Sequence, residues 1–416
     1  MKSITSLILL ASIIGTALIF SNTANASEWE RIDLTGPYEV EIPDGDGGTI
    51  SRSVQPSCSG GPVKDDQSPL GFRAGKSDYY FFVRAGNPNR ILIALDGGGA
   101  CWDAATCIGS PLAGTSTYTV ELDETAEGLG QGQGLLDISN KDNPYKNYTQ
   151  VFVPYCSGDI HWGSKDVEYE LPGLPPIEIK HRGSDNVLSV LNWLKTEGRK
   201  EYNIDFGRAR DITVTGLSAG GYGATLAYPY VAEMAPRARL NLISDAAIGV
   251  QTQAFYNQTI YDAGAPDAAS WGVKDSLPPF VPGLNETFLA TTPAEVFTPA
   301  LFGLLSDYTP EGSLSALTHD FDAVQVFFYA LQTGQLENGE PTPVAFGAWN
   351  AQMKAITAAA ASNPNYRFFI RQGFEHTFLA NDKQTYEVMG NGISVADWTT
   401  NQIKPGNRVW ENLGGM

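Results

Sequence analysis

The sequence predicts an α/β protein built on a doubly wound, mainly parallel sheet, and three observations predict it. Short apolar, β-branched runs recur between residues 79 and 371. Segments with helical apolar spacing separate most of them, which is the pattern of a parallel sheet covered on both faces. Finally, the run Ile212-Thr213-Val214-Thr215 passes straight into Gly216-Leu217-Ser218-Ala219-Gly220 and then into a helix-compatible segment. A strand, a sharp turn bearing Ser in Gly-x-Ser-x-Gly, and a helix together form a nucleophile elbow, so the expected sheet is α/β-hydrolase-like.

Taken in order, residues 1–26 read as a secretory leader. Lys2 is the positive start, residues 7–20 the apolar stretch, and Ala24-Asn25-Ala26 the cleavage site. Residues 27–416 are expected to form one exported domain, secreted or periplasmic after cleavage near Ala26, and no later run is long and apolar enough to span a bilayer. Residues 27–76, rich in Gly, Pro, Asp and Ser, read as an irregular or hairpin-bearing lead-in. Strands follow at 79–84 and 91–95, then a Gly- and Ser-rich surface excursion over 109–147 and a short strand at 151–154. A packed helix is expected from Gly183 to Leu194, the elbow strand at 212–215, its helix over 219–234, and the next strand at 240–244. Residues 250–312 lack clean alternation and hold many aromatics and prolines, which reads as a helical cap or insertion. The aromatics of 280–302 are suited to lining an apolar pocket. A strand at 314–318, helices at 324–331 and 346–361, and a last strand at 366–371 complete the pattern.

The formal charge of −19 argues against nucleic acid or an anionic membrane as partner. Four cysteines in an exported chain fit two disulfides. Cys101 and Cys107 are close enough to close a small loop, which leaves Cys58 for Cys156. No Cys-x-x-Cys occurs and no His stands at ligand spacing from a Cys, so neither a metal site nor a cofactor is expected.

Ester hydrolysis by serine needs a base for the hydroxyl proton, an acid to orient that base, and donors for the oxyanion. The four histidines are His161, His181, His319 and His376. In an α/β-hydrolase the acid and then the base follow the nucleophile, and only His319 and His376 follow Ser218. His376 lies just after the last strand, in a Gly-containing turn, and is the expected base. The acid candidates at strand ends are Asp245, Asp320 and Asp322; Asp245 is expected to support the loop beneath the site, and position leaves the other two open. Ala219, which follows the nucleophile, offers one oxyanion amide, and the loop Asp96-Gly97-Gly98-Gly99 after an early strand offers the rest. That loop is not a phosphate cradle, because no Lys-Ser/Thr follows it.

Three blocks, Leu95-Asp96-Gly97-Gly98-Gly99-Ala100-Cys101-Trp102, Pro154-Tyr155-Cys156-Ser157-Gly158-Asp159 and Gly216-Leu217-Ser218-Ala219-Gly220-Gly221, resemble in content and order the signature blocks of the pectinacetylesterase family. Phe321-Asp322-Ala323-Val324-Gln325 resembles its acid block. The resemblance covers roughly residues 70–380. It implies Ser218 as nucleophile, Asp322 rather than Asp320 as acid, His376 as base, and oxyanion amides from Gly98, Gly99 and Ala219. The implied activity is a secreted serine carboxylesterase acting through an acyl-enzyme, with acetylated polysaccharide as the ester substrate. Ala100 stands where the plant and animal branches carry an aromatic, so no long-acyl tunnel carries over, and short acyl groups are expected. His161 follows the second block where the animal branch has no His, and it reads as packing ahead of a substrate contact. The rival readings are an esterase, lipase or depolymerase for lipid or aliphatic polyester, and a catalytically inactive carbohydrate-binding protein on the same scaffold.

Overall fold

Strands that are apolar on both faces need cover on both, and a computed structural model shows how this chain provides it. The structure describes residues 28–122, 133–260, 270–289, 294–404 and 409–414; the expected leader lies outside them, as do 261–269 and 290–293 of the expected cap. The described residues form an eight-stranded sheet from β1 (Glu30–Leu34), β2 (Tyr79–Arg84), β3 (Asn87–Leu95), β4 (Tyr148–Val153), β5 (Asp211–Leu217), β6 (Arg239–Asp245), β7 (Ser313–His319) and β8 (Tyr366–Arg371). Their order across the sheet is β1-β2-β4-β3-β5-β6-β7-β8. Only β2 runs against its neighbours. This is an α/β-hydrolase-like fold, as expected.

Alternate residues of each strand feed two cores. Ile91, Ile93, Val151, Val153, Leu242 and Leu314 join one cluster with helices α1 (Gly183–Thr196) and α2 (Ala219–Met234). Leu92, Phe152, Ile243, Leu317 and Phe369 join the other. The expected cap contains α3 (Gln253–Thr259) and α4 (Ala294–Tyr308), and α5 (Ala323–Thr333) and α6 (Pro343–Ala360) follow. On the opposite face α7 (Val395–Ile403) contributes Val395 and Trp398. The lead-in carries a hairpin, Tyr38–Pro43 paired with Thr49–Val54, whereas the edge strand β1, the hairpin of Lys165–Tyr169 with Ile177–His181, and α7 lie outside the sequence expectation.

The register places the site. Gly216 pairs with Leu95 of β3, and Leu217 with Asp245 of β6. Ser218 therefore emerges one step past the carboxyl ends of the sheet's middle strands, where open α/β sheets bind ligands.

Both expected disulfides are present, Cys58–Cys156 and Cys101–Cys107. The first links residues 98 apart and ties the lead-in to the loop after β4. Closing so long a loop restricts the unfolded chain strongly. The double variant Cys58→Ser/Cys156→Ser is therefore expected to lose about 2–5 kcal/mol of stability in denaturant melts, against a smaller loss for the Cys101/Cys107 pair.

Candidate active site

The Ser218 turn is shaped by contacts that no side chain could share. A Cβ on Gly216 would lie 1.8 Å from the Gly220 carbonyl oxygen, and one on Gly220 would lie 2.1 Å from that of Leu95. Ser218 itself has φ 54° and ψ −121°, a conformation rare for an L-residue. It is held there by its N–H donating to the Asp245 carbonyl (2.8 Å) and its carbonyl accepting from Gly221 N–H (2.9 Å). The turn presents the hydroxyl at the start of α2, where helix amides have no internal acceptor.

The loop after β8 carries His376. Its Nδ1 lies 2.9 Å from both carboxylate oxygens of Asp322. Asp322 is fully buried, and it also accepts from the amides of Val324 and Gln325 and from the Gln325 side chain. It thus caps α5 and orients the imidazole with one carboxylate. His376 Nε2 has no hydrogen-bond partner among the described residues, and His376 and Ser218 line the same cavity. Asp320 does not meet His376; its carboxylate accepts the Gly373 amide (3.0 Å) in the stretch leading to it.

Asp245 has the supporting place expected of it. One carboxylate oxygen accepts the amides of both Phe378 (2.7 Å) and Leu379 (2.8 Å), just beyond His376. Burial pushes this carboxyl up to about 7. A single residue at the end of β6 therefore holds the serine turn through its carbonyl and the histidine loop through its side chain.

The glycine loop lies against the elbow. A Cβ on Gly97 would come 2.9 Å from Ser218 Cβ. Gly98 and Gly99 have φ 149° and 76°, values that favour glycine. Their amides and that of Ala219 have no acceptor among the described residues. The loop is pinned on its far side by Thr119 N–H to the Gly98 carbonyl and Ala100 N–H to the Thr117 carbonyl. The Cys101–Cys107 bond follows at once. The side chains of Cys101, Cys107 and His181 come within 4.8 Å of one another, but with the sulfurs bonded together no thiolate remains to hold a metal.

The remaining histidines take other places. His181 sits between the Ser157 carbonyl and the Tyr169 hydroxyl. His319 stacks on Phe378 at 4.1 Å between centroids. His161 is buried against Tyr155, with Nε2 2.9 Å from the Asp96 carbonyl, and burial lowers its imidazole to about 4. This contact escapes sequence reasoning because its acceptor is a main-chain oxygen, which leaves no mark on residue type.

Behind Ser218 lies a mostly apolar cavity of about 90 Å³. Trp102, Trp162, Phe255, Trp271, Phe297 and Phe328 form much of its wall, and Ala100 lines it beside the glycine loop. The aromatics lock edge to face: Trp102 meets Phe255 at 5.0 Å, and Phe255 meets Trp271 at 5.6 Å. Of the aromatics expected to line a pocket, Phe297 and Phe302 do so, whereas Phe288 backs Phe297 and Phe280 packs on Tyr230. Two side chains fasten onto the loop: Trp271 Nε1 donates to the Cys101 carbonyl and Gln258 Nε2 to that of Trp102.

Residues 74–265 match the family described as Pectinacetylesterase. The chain is similar to a palmitoleoyl-protein carboxylesterase NOTUM of Schmidtea mediterranea, 29% identical over 150 residues, covering 35% of this chain and 25% of that protein. It is also similar to palmitoleoyl-protein carboxylesterase notum2 of Xenopus laevis, 29% over 164 residues (38% and 30%), and to the Mus musculus NOTUM, 26% over 175 residues (41% and 29%). The matched region thus spans between a quarter and a third of these curated relatives.

Proposed function

We propose that this chain, whose residues 74–265 match the pectinacetylesterase family, is an exported serine carboxylesterase, with Ser218 as nucleophile, His376 as base and Asp322 as the acid that orients it. One arrangement carries the reading: a serine on a strained turn and an imidazole seated on a buried carboxylate share a cavity, beside three amides with no acceptor among the described residues. His376 Nε2 takes the Ser218 proton as Oγ bonds to the ester carbonyl carbon. The amides of Gly98, Gly99 and Ala219 receive the negative charge that develops on the carbonyl oxygen. Collapse breaks the bond to the alcohol, which leaves with the proton held by His376. Water then attacks the acyl-enzyme by the same steps, releasing the acid and restoring Ser218. Two disulfides fit the oxidising compartment that export implies.

The cavity favours an apolar acyl group. By the measure in which one water needs roughly 10–15 Å³, about 90 Å³ takes a chain of several methylenes. Acetylated polysaccharide is the second reading, supported by the family match itself. Chromogenic acetyl, butyryl, octanoyl and palmitoyl esters, assayed beside acetylated pectin and xylan, separate the two. If each buried methylene contributes about 0.8 kcal/mol, kcat/KM is expected to rise roughly fourfold per carbon until the cavity is filled. A steady fall from acetyl, with deacetylation of either polymer, would give the place to the second reading. Failure of a fluorophosphonate to label Ser218 would leave neither standing and favour a non-catalytic binding protein.

A further inference from the structure

His161 occupies a costly conformation. It follows Ile160, and the two have φ 63° and 53°, consecutive left-handed residues with no glycine between them. Asp159 holds that turn from inside: its buried carboxylate accepts the amides of His161, Gly163 and Gly183 and the Ser157 hydroxyl. The turn wedges the His161 ring against Tyr155 and against α2, where a Cβ on Gly223 would come 2.6 Å from His161 Cβ. A histidine serving only as filler needs none of this.

What the strain achieves is direction. A carbonyl oxygen can only accept, so the 2.9 Å contact puts the ring proton on Nε2 and makes His161 the donor to Asp96. The peptide between Asp96 and Gly97 is then tied at both ends, since the Gly97 amide donates to the Asp96 carboxylate (2.8 Å). The next amide along is that of Gly98, and the flexible Gly97 stands between them with no side chain to resist rotation. Resting on the carboxylesterase reading above, we propose that His161 is a positioning residue: its hydrogen bond to the Asp96 carbonyl holds the glycine turn in the shape that aims the Gly98 and Gly99 amides at the oxyanion.

Two substitutions separate the hydrogen bond from the packing. His161→Gln keeps an N–H near the place of Nε2, and His161→Leu keeps bulk without it. Both are compared with the unaltered protein in kcat and KM on one chromogenic ester, and in affinity for an aryl trifluoromethyl ketone, which forms an oxyanion on Ser218. His161→Leu is expected to lower kcat and ketone affinity together by about 10- to 100-fold, with KM nearly unchanged, and His161→Gln to restore most of both. Unimpaired kinetics in His161→Leu would overturn the proposal, as would equal impairment of the two variants, which marks packing alone. If His161→Leu does not fold, His161→Asn, whose amide is too short to reach Asp96, carries the same expected loss. Fluorophosphonate labelling of the unaltered protein is read first. Absence of labelling overturns the carboxylesterase reading, whereas labelling with an unimpaired His161→Leu overturns only the role of His161.

Discussion

Ser218→Ala is expected to lower kcat by about 10⁶-fold while the thermal melt stays where it is. The substitution removes one oxygen, and Ser218 Oγ makes no hydrogen bond to the described residues, so the fold loses no contact with it. The strained backbone, fixed by the Ser218 amide and carbonyl, remains available to alanine at the same φ. What disappears is the covalent route. Residual turnover of roughly 10³-fold over water remains attributable to the oxyanion amides and binding. Steady-state kinetics on a chromogenic ester with a parallel melt checks both halves. A variant that keeps a tenth of its activity would remove Ser218 from the reaction.

Asp322→Asn is expected to cost about 10⁴-fold in kcat. The asparagine still caps α5, so the helix start survives. Its amide N–H, however, faces His376 Nδ1 and favours the tautomer with the proton on Nε2, which cannot take a proton from Ser218. Asp320→Asn provides the control: its carbonyl oxygen can still accept the Gly373 amide, and less than a tenfold loss is expected. The opposite ranking in a side-by-side assay would move the acid to Asp320.

Strands buried on both faces were legible from composition alone. The expected 79–84 and 366–371 coincide with β2 and β8; the other sheet expectations fall short by one to four residues at an end, and 151–154 also runs one residue past β4. Edge elements were not. In β1 the pattern Glu-Arg-Ile-Asp-Leu alternates with charges, and its identity as a strand comes from pairing with β2. The hairpin at Lys165–Tyr169 and Ile177–His181 is hidden in the same way, with exposed Asp166, Glu168 and Glu178 between its inward residues. The site divides along a similar line. Ser218 sits in a turn whose glycines are sterically required, so residue type betrays it. Asp320 and Asp322 lie two residues apart after one strand, and spacing cannot separate them. Hydrogen bonds from Asp320 N to the Arg371 carbonyl and from Phe321 N to that of Gly373 bend the chain so that Asp322 reaches His376. The place of Asp245 at a strand end betrayed its supporting position, but the His161 contact is with a main-chain oxygen, which residue identity does not encode.

The sheet order has a consequence for how long such a site would last when heated. Ser218 hangs from β5, flanked on both sides, but His376 hangs from β8, the outermost strand. Beyond β8 the edge is covered by a short C-terminal stretch and the Asn391 side chain: Leu413 exchanges hydrogen bonds with Phe368 and Ile370, the Asn412 side chain accepts the Phe368 amide, and Asn391 Nδ2 donates to the Ile370 carbonyl. Rims open more readily than middles. A brief peeling of the last few residues uncovers the outer edge of β8, the strand that leads into the histidine loop, while the nucleophile and the rest of the sheet stay folded. Inactivation by heat is therefore expected to start at the C-terminal rim rather than at global melting, and trimming that stretch to shorten the working lifetime without unmaking the fold.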